Sequence, residues 1–428
     1  MIQITSHFFL YMLSLFLILF LIITAYIRIK MQFWHTQPVF HIYNLKYWIK
    51  PPGIINHEPP PVNKFVNLIN NKLIKVPTDS DNGKDNGKDN GKDETDIIIK
   101  KVCNFIRDYY IIHNSTHYKP TDQDILAYLQ CLNHASFINI YQEPKLLFAP
   151  VNAEPDIIGL TTTRVLNVTL KKNKRPISFP VYYVDHLCVK PGYRKKGISP
   201  EMIQTFYYRM ARTNSKVNAY MFKREGQLTA IVPLVYYDTY SFDVVNINSL
   251  NINSLNINSL NKYILNASMN VIDIGVQQLN LVISFIQEQK NNFECVILPD
   301  VSSVINLIKL GKIKIYGIIF NGNLIAIYIF RIIELYYGNK KTAECITIVS
   351  NCKSVDVLIS GFITSLMKLK TQTQVDILFI EDTAHSKEII NEMLTIPTVH
   401  CNFKSPTAFF LYNYAVYSVK NTKALLFY

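Results

Sequence analysis

The chain has 428 residues, 49% of them hydrophobic and 18% charged, which is enough apolar material for a sizeable core and excludes a mostly disordered chain. At this length two or three domains are expected. Lys and Arg total 44 against 31 Asp and Glu, a net charge of +13; the excess is mostly lysine, without clustered arginines interleaved with aromatics, so no nucleic-acid partner is expected.

Residues 8–27 form an uncharged apolar run, FFLYMLSLFLILFLIITAYI, of the length needed to cross a hydrocarbon core. Arg28, Lys30 and Lys46 follow it. The positive-inside rule then places the rest of the chain in the cytosol, as a single-pass membrane protein. A cleaved signal peptide fits less well, because the run lacks a basic leader and is longer than a typical apolar h-region. Residues 31–62 are a Pro- and aromatic-rich arm that cannot form a long regular helix. Residues 81–92 repeat DNGK and residues 246–260 repeat NINSL; both read as solvated low-complexity loops. Sequons stand at Asn114, Asn167 and Asn266.

Between these markers helix and strand patterns alternate. Residues 96–110 and 122–132 have helical apolar spacing. Residues 145–148, 157–162 and 166–170 read as short strands separated by turns, and residues 181–189 as a strong strand. An amphipathic helix is expected over 198–212 and another over 272–289. Residues 314–320 and 324–332 read as a hairpin about Asn321-Gly322-Asn323. A strand at 345–349, a helix at 354–370, and strands at 375–380 and 408–416 complete the pattern. The same order of elements appears twice, which predicts two related α+β halves of mixed sheet flanked by helices. The seven cysteines are odd in number, widely spaced and free of CxxC pairs. Neither a disulfide framework nor a structural zinc site is expected.

The segment VYYVDHLCVKPGYRKKGISPEMIQTFYYRMAR, residues 181–212, carries the chemistry. A strand ends at Val189, a basic loop follows, and a helix starts near Ile198–Pro200. Free N–H groups and the dipole at a helix start favour anions. Gly197 allows close approach of a phosphate to the backbone, and Arg194, Lys195 and Lys196 add charge. The arrangement suits a pyrophosphate.

Arg194-x-x-Gly197-x-Ser199, between strand and helix, resembles the coenzyme-A loop of the GNAT acyltransferases. Leu187-Cys188-Val189, Arg194-Lys195-Lys196 and Pro200 together resemble the Phe-Leu-Cys-Val…Arg-Ser-Lys-Arg-x-Ala-Pro signature of the N-myristoyltransferase family. Gln32-Phe33-Trp34-His35-Thr36-Gln37-Pro38-Val39 is similar to that family's Gln-Phe-Trp-x-Thr-Gln-Pro-Val arm. Phe410-Leu411-Tyr412-Asn413-Tyr414 is similar to its Tyr-Leu-Tyr-Asn-Trp segment. The resemblance spans residues 31–428, with the apolar run and the two repeats outside it.

The resemblance implies two tandem GNAT-like halves, an α+β fold preceded here by one transmembrane helix. It divides the chain into an anchor (1–30), an arm and linker (31–95), an acyl-CoA-binding half (96–245), a repeat (246–261) and a peptide-binding half (262–428). It implies glycylpeptide N-tetradecanoyltransferase activity, with myristoyl-CoA as co-substrate, peptides or proteins with N-terminal glycine as acceptors, and no permanently bound cofactor or metal. Gln32, Phe33 and Trp34 would lie against CoA, with His186, Leu187, Cys188 and Val189 along the strand end. Arg194, Lys195, Lys196, Gly197, Ile198 and Ser199 would surround the pyrophosphate. The backbone N–H groups of His186 and Leu187 would form the oxyanion hole, and the terminal carboxylate of Tyr428 would be the base. Tyr110 and Asp382 would face the peptide.

The sequence departs from the family at Asp185 and His186, where Asn and Phe are expected. It departs also at Lys195-Lys196-Gly197, and at Tyr110-Ile111-Ile112-His113-Asn114, where the family's acidic peptide-binding segment has lost its carboxylates. Two alternatives stay open: a degenerate acyl-CoA-binding membrane protein, and another GNAT N-acyltransferase.

Overall fold

The computed structural model describes residues 2–76, 90–111, 116–130, 134–144, 155–172, 175–227, 229–244, 265, 268–396 and 399–428. The strand expected at 145–148, all of the NINSL repeat, most of the DNGK repeat, and the sequons at Asn114 and Asn266 lie outside the described residues.

Helix α1 (Ile2–Lys30) contains the apolar stretch Phe9–Tyr26, none of which is buried against the body. It is long and apolar enough to cross a membrane. The arm then runs through a 3-10 turn (Trp34–Thr36) and a five-residue helix α2 (Leu45–Ile49). Helix α3 (Asn90–Tyr109) takes in the end of the DNGK repeat. Helix α4 (Asp122–Leu129) opens on a capping box, with Thr121 and Asp124 satisfying each other's backbone donors.

The strands before the second repeat are β1 (Gly53–Ile54), β2 (Asn71–Lys75), β3 (Thr116–Tyr118) and β4 (Phe137–Gln142). They continue with β5 (Ile157–Lys172), β6 (Arg175–Val189), β7 (Tyr220–Glu225) and β8 (Val235–Asp243). After it come β9 (Met269–Asp273), β10 (Cys295–Leu298), β11 (Ile313–Phe320), β12 (Asn323–Tyr337) and β13 (Lys340–Ser350). The last are β14 (Ile377–Glu381), β15 (Cys401–Tyr412), β16 (Tyr414–Ala415), β17 (Val419–Lys420) and β18 (Ala424–Leu426).

Each half repeats one unit. In the first, the antiparallel pair β5–β6 is followed by helix α5 (Ile198–Thr213) and by β7, which pairs parallel to β6. In the second, the antiparallel β12–β13 is followed, beyond helix α8 (Val355–Thr373; α6 is Leu279–Gln289 and α7 Val301–Lys309), by β14, parallel to β13. The expected doubled α+β order is therefore present. The halves are interlocked: β15 pairs antiparallel with both β7 and β8, and β8 pairs with β14. One sheet thus runs β18-β10-β5-β6-β7-β15-β8-β14-β13-β12-β11-β9 through the protein. The pairing of β6 with β7 lasts only from Tyr182↔Tyr220 to Val184↔Phe222. Beyond Val184 the strands part, and the gap between them is where the cavity lies.

Three local expectations are corrected. Residues 157–162 and 166–170 are not separate strands but the single strand β5. The polar run Thr161-Thr162-Thr163-Arg164, which resembles a turn, is buried, and pairing continues through Thr163↔Val184 and Arg164↔Tyr183. Residues 272–289 are not one helix. Val271 and Ile272 belong to β9, Gly275 breaks the chain, and α6 begins at Leu279. The strand expected over 408–416 starts earlier, at Cys401, and is interrupted at Asn413, whose φ of +59 is left-handed. The hairpin turn at Asn321 and Gly322 has positive φ at both positions (49 and 79), which matches the right-handed twist of its strands.

Candidate active site

The site begins with a bulge. Register along β5 and β6 jumps from Leu160↔Cys188 to Thr162↔Asp185, so Thr161 faces two residues, His186 and Leu187. A bulge bends its strand and re-aims backbone groups. His186 has φ +50, an uncommon conformation for a non-glycine residue. Its position is held from three sides. Its Nδ1 lies 2.8 Å from Thr162 Oγ1, its ring meets Tyr110 edge-on at 4.9 Å, and its N–H donates to Asp185 Oδ1 at 2.8 Å. Burial lowers the His186 pKa, with Asp185 pulling it back up in part. Leu187 is exposed and lines the cavity. Cys188 is buried and its Sγ–H donates to Tyr109 O at 3.1 Å. Burial raises that thiol, against the pull of Arg194, so it is a poor nucleophile.

The end of β6 feeds the basic loop. A 3-10 turn (Pro191–Tyr193) precedes Arg194, whose Nε donates back to Val189 O at 3.0 Å. Lys195 and Gly197 both have left-handed φ (+63 and +84). Alternation of this kind turns successive N–H groups toward one concavity, which binds anions. Gly197 caps α5 without a side chain, leaving the N–H groups of Ile198 and Ser199 at the helix start. Lys195, Lys196 and Gly197 are exposed. Helix α5 is drawn tight to β5 at Gly159, the partner of Val189 at the end of β6, where a Cβ would stand 2.5 Å from Met202 Sδ. Loop and bulge are therefore set at a fixed spacing along one strand.

The bulge opens onto a cavity of about 1320 Å³, larger than the roughly 300–1,000 Å³ of ordinary small-molecule pockets. Trp34, Tyr110, Met202, Phe206 and Phe222 give one part an apolar wall. Charges line the rest, and each carboxylate there is held by a cation of the protein itself. Asp124 and Glu334 hold Lys312; Glu344 holds Arg331; Asp243 holds Lys340 at 3.0 Å; Glu225 holds Lys223 at 2.9 Å. Asp185 Oδ2 lies 3.5 Å from Arg164, whose guanidinium is clamped between the rings of Tyr128 and Tyr183 at 5.0 and 4.8 Å. Burial opposes the ionisation of Asp185, but His186 and Arg164 hold its pKa down to about 2. Arg224, also on the lining, makes no ion pair among the described residues.

The arm and the C-terminal segment meet beside this cavity. Tyr412 Oη donates to Gln37 Oε1 at 2.6 Å, and the Asn413 N–H donates to Pro38 O at 2.7 Å. The buried Asn413 side chain also bonds the backbone of Asn56 and Asn218. The two segments singled out at opposite ends of the sequence are thus in direct contact. Trp34 stacks on Phe222 with ring centroids 6.1 Å apart, whereas Phe33 turns into the core against Phe65 and Gln32 is exposed. Of the candidate residues, Trp34, Tyr110, His186 and Leu187 share the cavity. The loop from Arg194 to Ser199 lies beyond the end of β6.

Tyr428 is buried. Its ring lies 5.8 Å from that of Tyr183 and 4.9 Å from that of Phe409. Its Oη donates to Glu381 Oε1 at 2.6 Å and accepts from Arg331 at 3.2 Å. Asp382 is not on the cavity lining; its neighbour Glu381 shares a strand face with Ile377 and Phe379, which are. Sequence reasoning did not single out Arg164, Lys223, Arg331 or Glu381. The available signal was a lone charge inside an apolar strand, as in YIFRII around Arg331, which is buried only when paired.

No family model matches the chain, and no curated protein sequence matches it. Solved structures do match. A crystal structure of Saccharomyces cerevisiae N-myristoyltransferase with bound myristoyl-CoA superimposes with a TM-score of 0.64, at 11% identity, over 91% of this chain and 90% of that one. A second such structure gives 0.61 at 11% identity, over 92% and 94%. A third, with bound myristoyl-CoA and inhibitors, gives 0.61 at 11% identity, over 91% of each chain. The protein has the N-myristoyltransferase fold.

Proposed function

We propose that this protein is an acyltransferase of the N-myristoyltransferase family, which moves a myristoyl group from myristoyl-CoA to the N-terminal glycine of a peptide or protein. The observation that carries the reading is the joining of three features along β6: a bulge at His186–Leu187, a large cavity beside it, and a basic loop running into a helix start at its end. A fatty-acyl thioester needs these three things: donors at its carbonyl, room for its chain, and charge at its pyrophosphate.

In this reading Lys195, Lys196 and the N–H groups of Gly197, Ile198 and Ser199 bind the pyrophosphate. Trp34 bounds the acyl site, with Gln32 and Phe33 fixing the arm. Cys188 and Val189 space the loop from the bulge, and Arg194 braces it. The glycine amine attacks the thioester carbonyl. A C–N bond forms, the C–S bond breaks, and CoA leaves as its thiolate. The carbonyl oxygen gathers negative charge at the N–H groups of His186 and Leu187. The amine's proton passes to the carboxylate that ends this sequence at Tyr428. Helix α1 holds the body at a membrane, facing the cytosol, and anchor, arm, acyl-CoA half and peptide half are the working divisions of the chain.

One observation favours a second reading, a degenerate acyl-CoA-binding protein. The His186 N–H is already bonded to Asp185, so the oxyanion hole opens only if that carboxylate gives way. The test is CoA release from myristoyl-CoA with a library of N-terminal-glycine peptides, using the full chain in detergent and a variant with one residue added after Tyr428. Release that collapses on extension supports the transferase. Acyl-CoA binding with no acylated peptide removes it in favour of the degenerate reading.

A further inference from the structure

Helix α2 and the turn before it present an apolar face that the described residues leave uncovered. Ile42 is 56% exposed, Leu45 70%, Trp48 45% and Ile49 85%. Leu45, Trp48 and Ile49 stand at i, i+3 and i+4, hence on one side of the helix. The exposed Tyr417 adjoins them. Contiguous exposed apolar side chains mark an interaction surface, and this one is braced rather than loose. The Trp48 indole N–H donates to Ile42 O at 2.8 Å, Tyr417 Oη donates to the carbonyls of Trp48 and Ile49 at 2.8 and 3.0 Å, and Trp48 lies against the buried ring of Phe40 at 5.0 Å. Lys46 and Lys50 rim the face, both exposed and neither ion-paired among the described residues.

We propose that this face docks on a lipid surface, seating the folded body on the membrane crossed by α1. The inference rests on the reading of α1 as a membrane anchor. Three observations choose lipid over protein. The face follows α1 in the chain, after only the short arm segment, so it is delivered next to the bilayer. Its centre is a tryptophan, whose amphipathic ring favours the headgroup level. Its rim is cationic, which suits an anionic leaflet. The same contact would orient the cavity, because the arm that carries the face also carries Trp34 into the cavity wall.

The chain has two tryptophans, Trp34 and Trp48, which makes the test direct. The full chain is reconstituted into phosphatidylcholine vesicles containing phosphatidylserine, with plain or brominated acyl chains. Flotation is measured first, then emission from W34F, which reports Trp48 alone, and from W48F, which reports Trp34 alone. Bromolipid is expected to lower Trp48 emission about two-fold, as an interfacial ring should show, and to leave Trp34 unchanged. The difference spectrum of wild type minus W48F gives the same quantity if W34F does not fold. A chain that floats while Trp48 emission ignores bromine overturns the docking face and leaves the anchor standing. Blue-shifted Trp48 emission without quenching means that protein covers the face, and also overturns it. A chain that does not float removes the anchor and this inference together.

Discussion

Replacing Lys223 by methionine isolates the buried charges beneath the cavity. Lys223 Nζ bonds Glu381 Oε1 at 2.8 Å and Glu225 Oε1 at 2.9 Å. Burial alone would favour the neutral amine, but Glu225 and Glu381 outweigh it and raise the pKa well above its ordinary value, so the ion pair is formed at neutral pH. The two carboxylates respond differently to its loss. Glu225 is largely in water and is resolvated, whereas Glu381 is only 1% exposed and its Oε2 has no partner among the described residues. Removing one member of a buried pair costs about 3–5 kcal/mol. The Tyr428 hydroxyl still donates to Glu381, and a hydrogen bond to a charged group offsets about 1.5–3 kcal/mol of such a loss. We expect K223M to lose about 2–3 kcal/mol. The double variant K223M/E381Q, which removes the orphaned charge, should regain at least half of that. Guanidinium unfolding of the full chain in micelles, followed by near-UV circular dichroism, reads both. A loss under about 1 kcal/mol for K223M, or a double variant no better than the single, refutes the buried-charge argument.

Three further outcomes are expected. Gly197→Ala meets no atom within 4 Å, so its cost is the left-handed backbone alone, about 1–2 kcal/mol; calorimetry with CoA should show weaker binding, and unchanged binding would remove the loop from the pyrophosphate site. Asp185 has a folded pKa near 2, below its unfolded value of about 3.9, so its contribution to stability is complete above pH ~4 and lost as pH falls from ~4 toward 2. An acid-unfolding profile in which D185N flattens that limb is the check. Because each carboxylate on the cavity lining is paired internally and Arg224 makes no ion pair among the described residues, the proposed transferase should use an acceptor glycine peptide with acidic residues better than a basic one, and Arg224→Glu should reverse the order; the check is kcat/KM for matched peptides.

Much of the fold was legible because local rules and tertiary demands agreed. The helix at Ile198–Thr213, the Asn321–Gly322 hairpin and the strand leading into Val189 carry their own signals: Gly197 and Pro200 at a helix start, positive-φ residues at a tight turn, and an apolar strand. The shape of the basic loop was legible for the same reason, since the glycine and lysines that form it stand in a few consecutive residues. Where the two demands conflicted, the sequence misled. Thr161–Arg164 look like a turn because they are polar, yet they are the middle of a strand that faces a cavity. Gly275 divides a stretch whose apolar spacing imitates one helix.

What the sequence by itself determined is the order of elements, the apolar α1 and the composition of the loop at Lys195–Ser199, because each depends on neighbours along the chain. Only the tertiary structure decided which charges are paired. Lys223 on β7 reaches Glu381 on β14 only because β15 and β8 bring those distant strands into one sheet, whereas Arg164 and Arg331 pair with Asp185 and Glu344 across the bulged neighbouring strand of their own hairpins. It also decided that Gln37 meets Tyr412 and that Asp185 holds the His186 N–H. Pairing of buried charges and the opening of a bulge are properties of distances across the sheet, and one-dimensional spacing does not carry them.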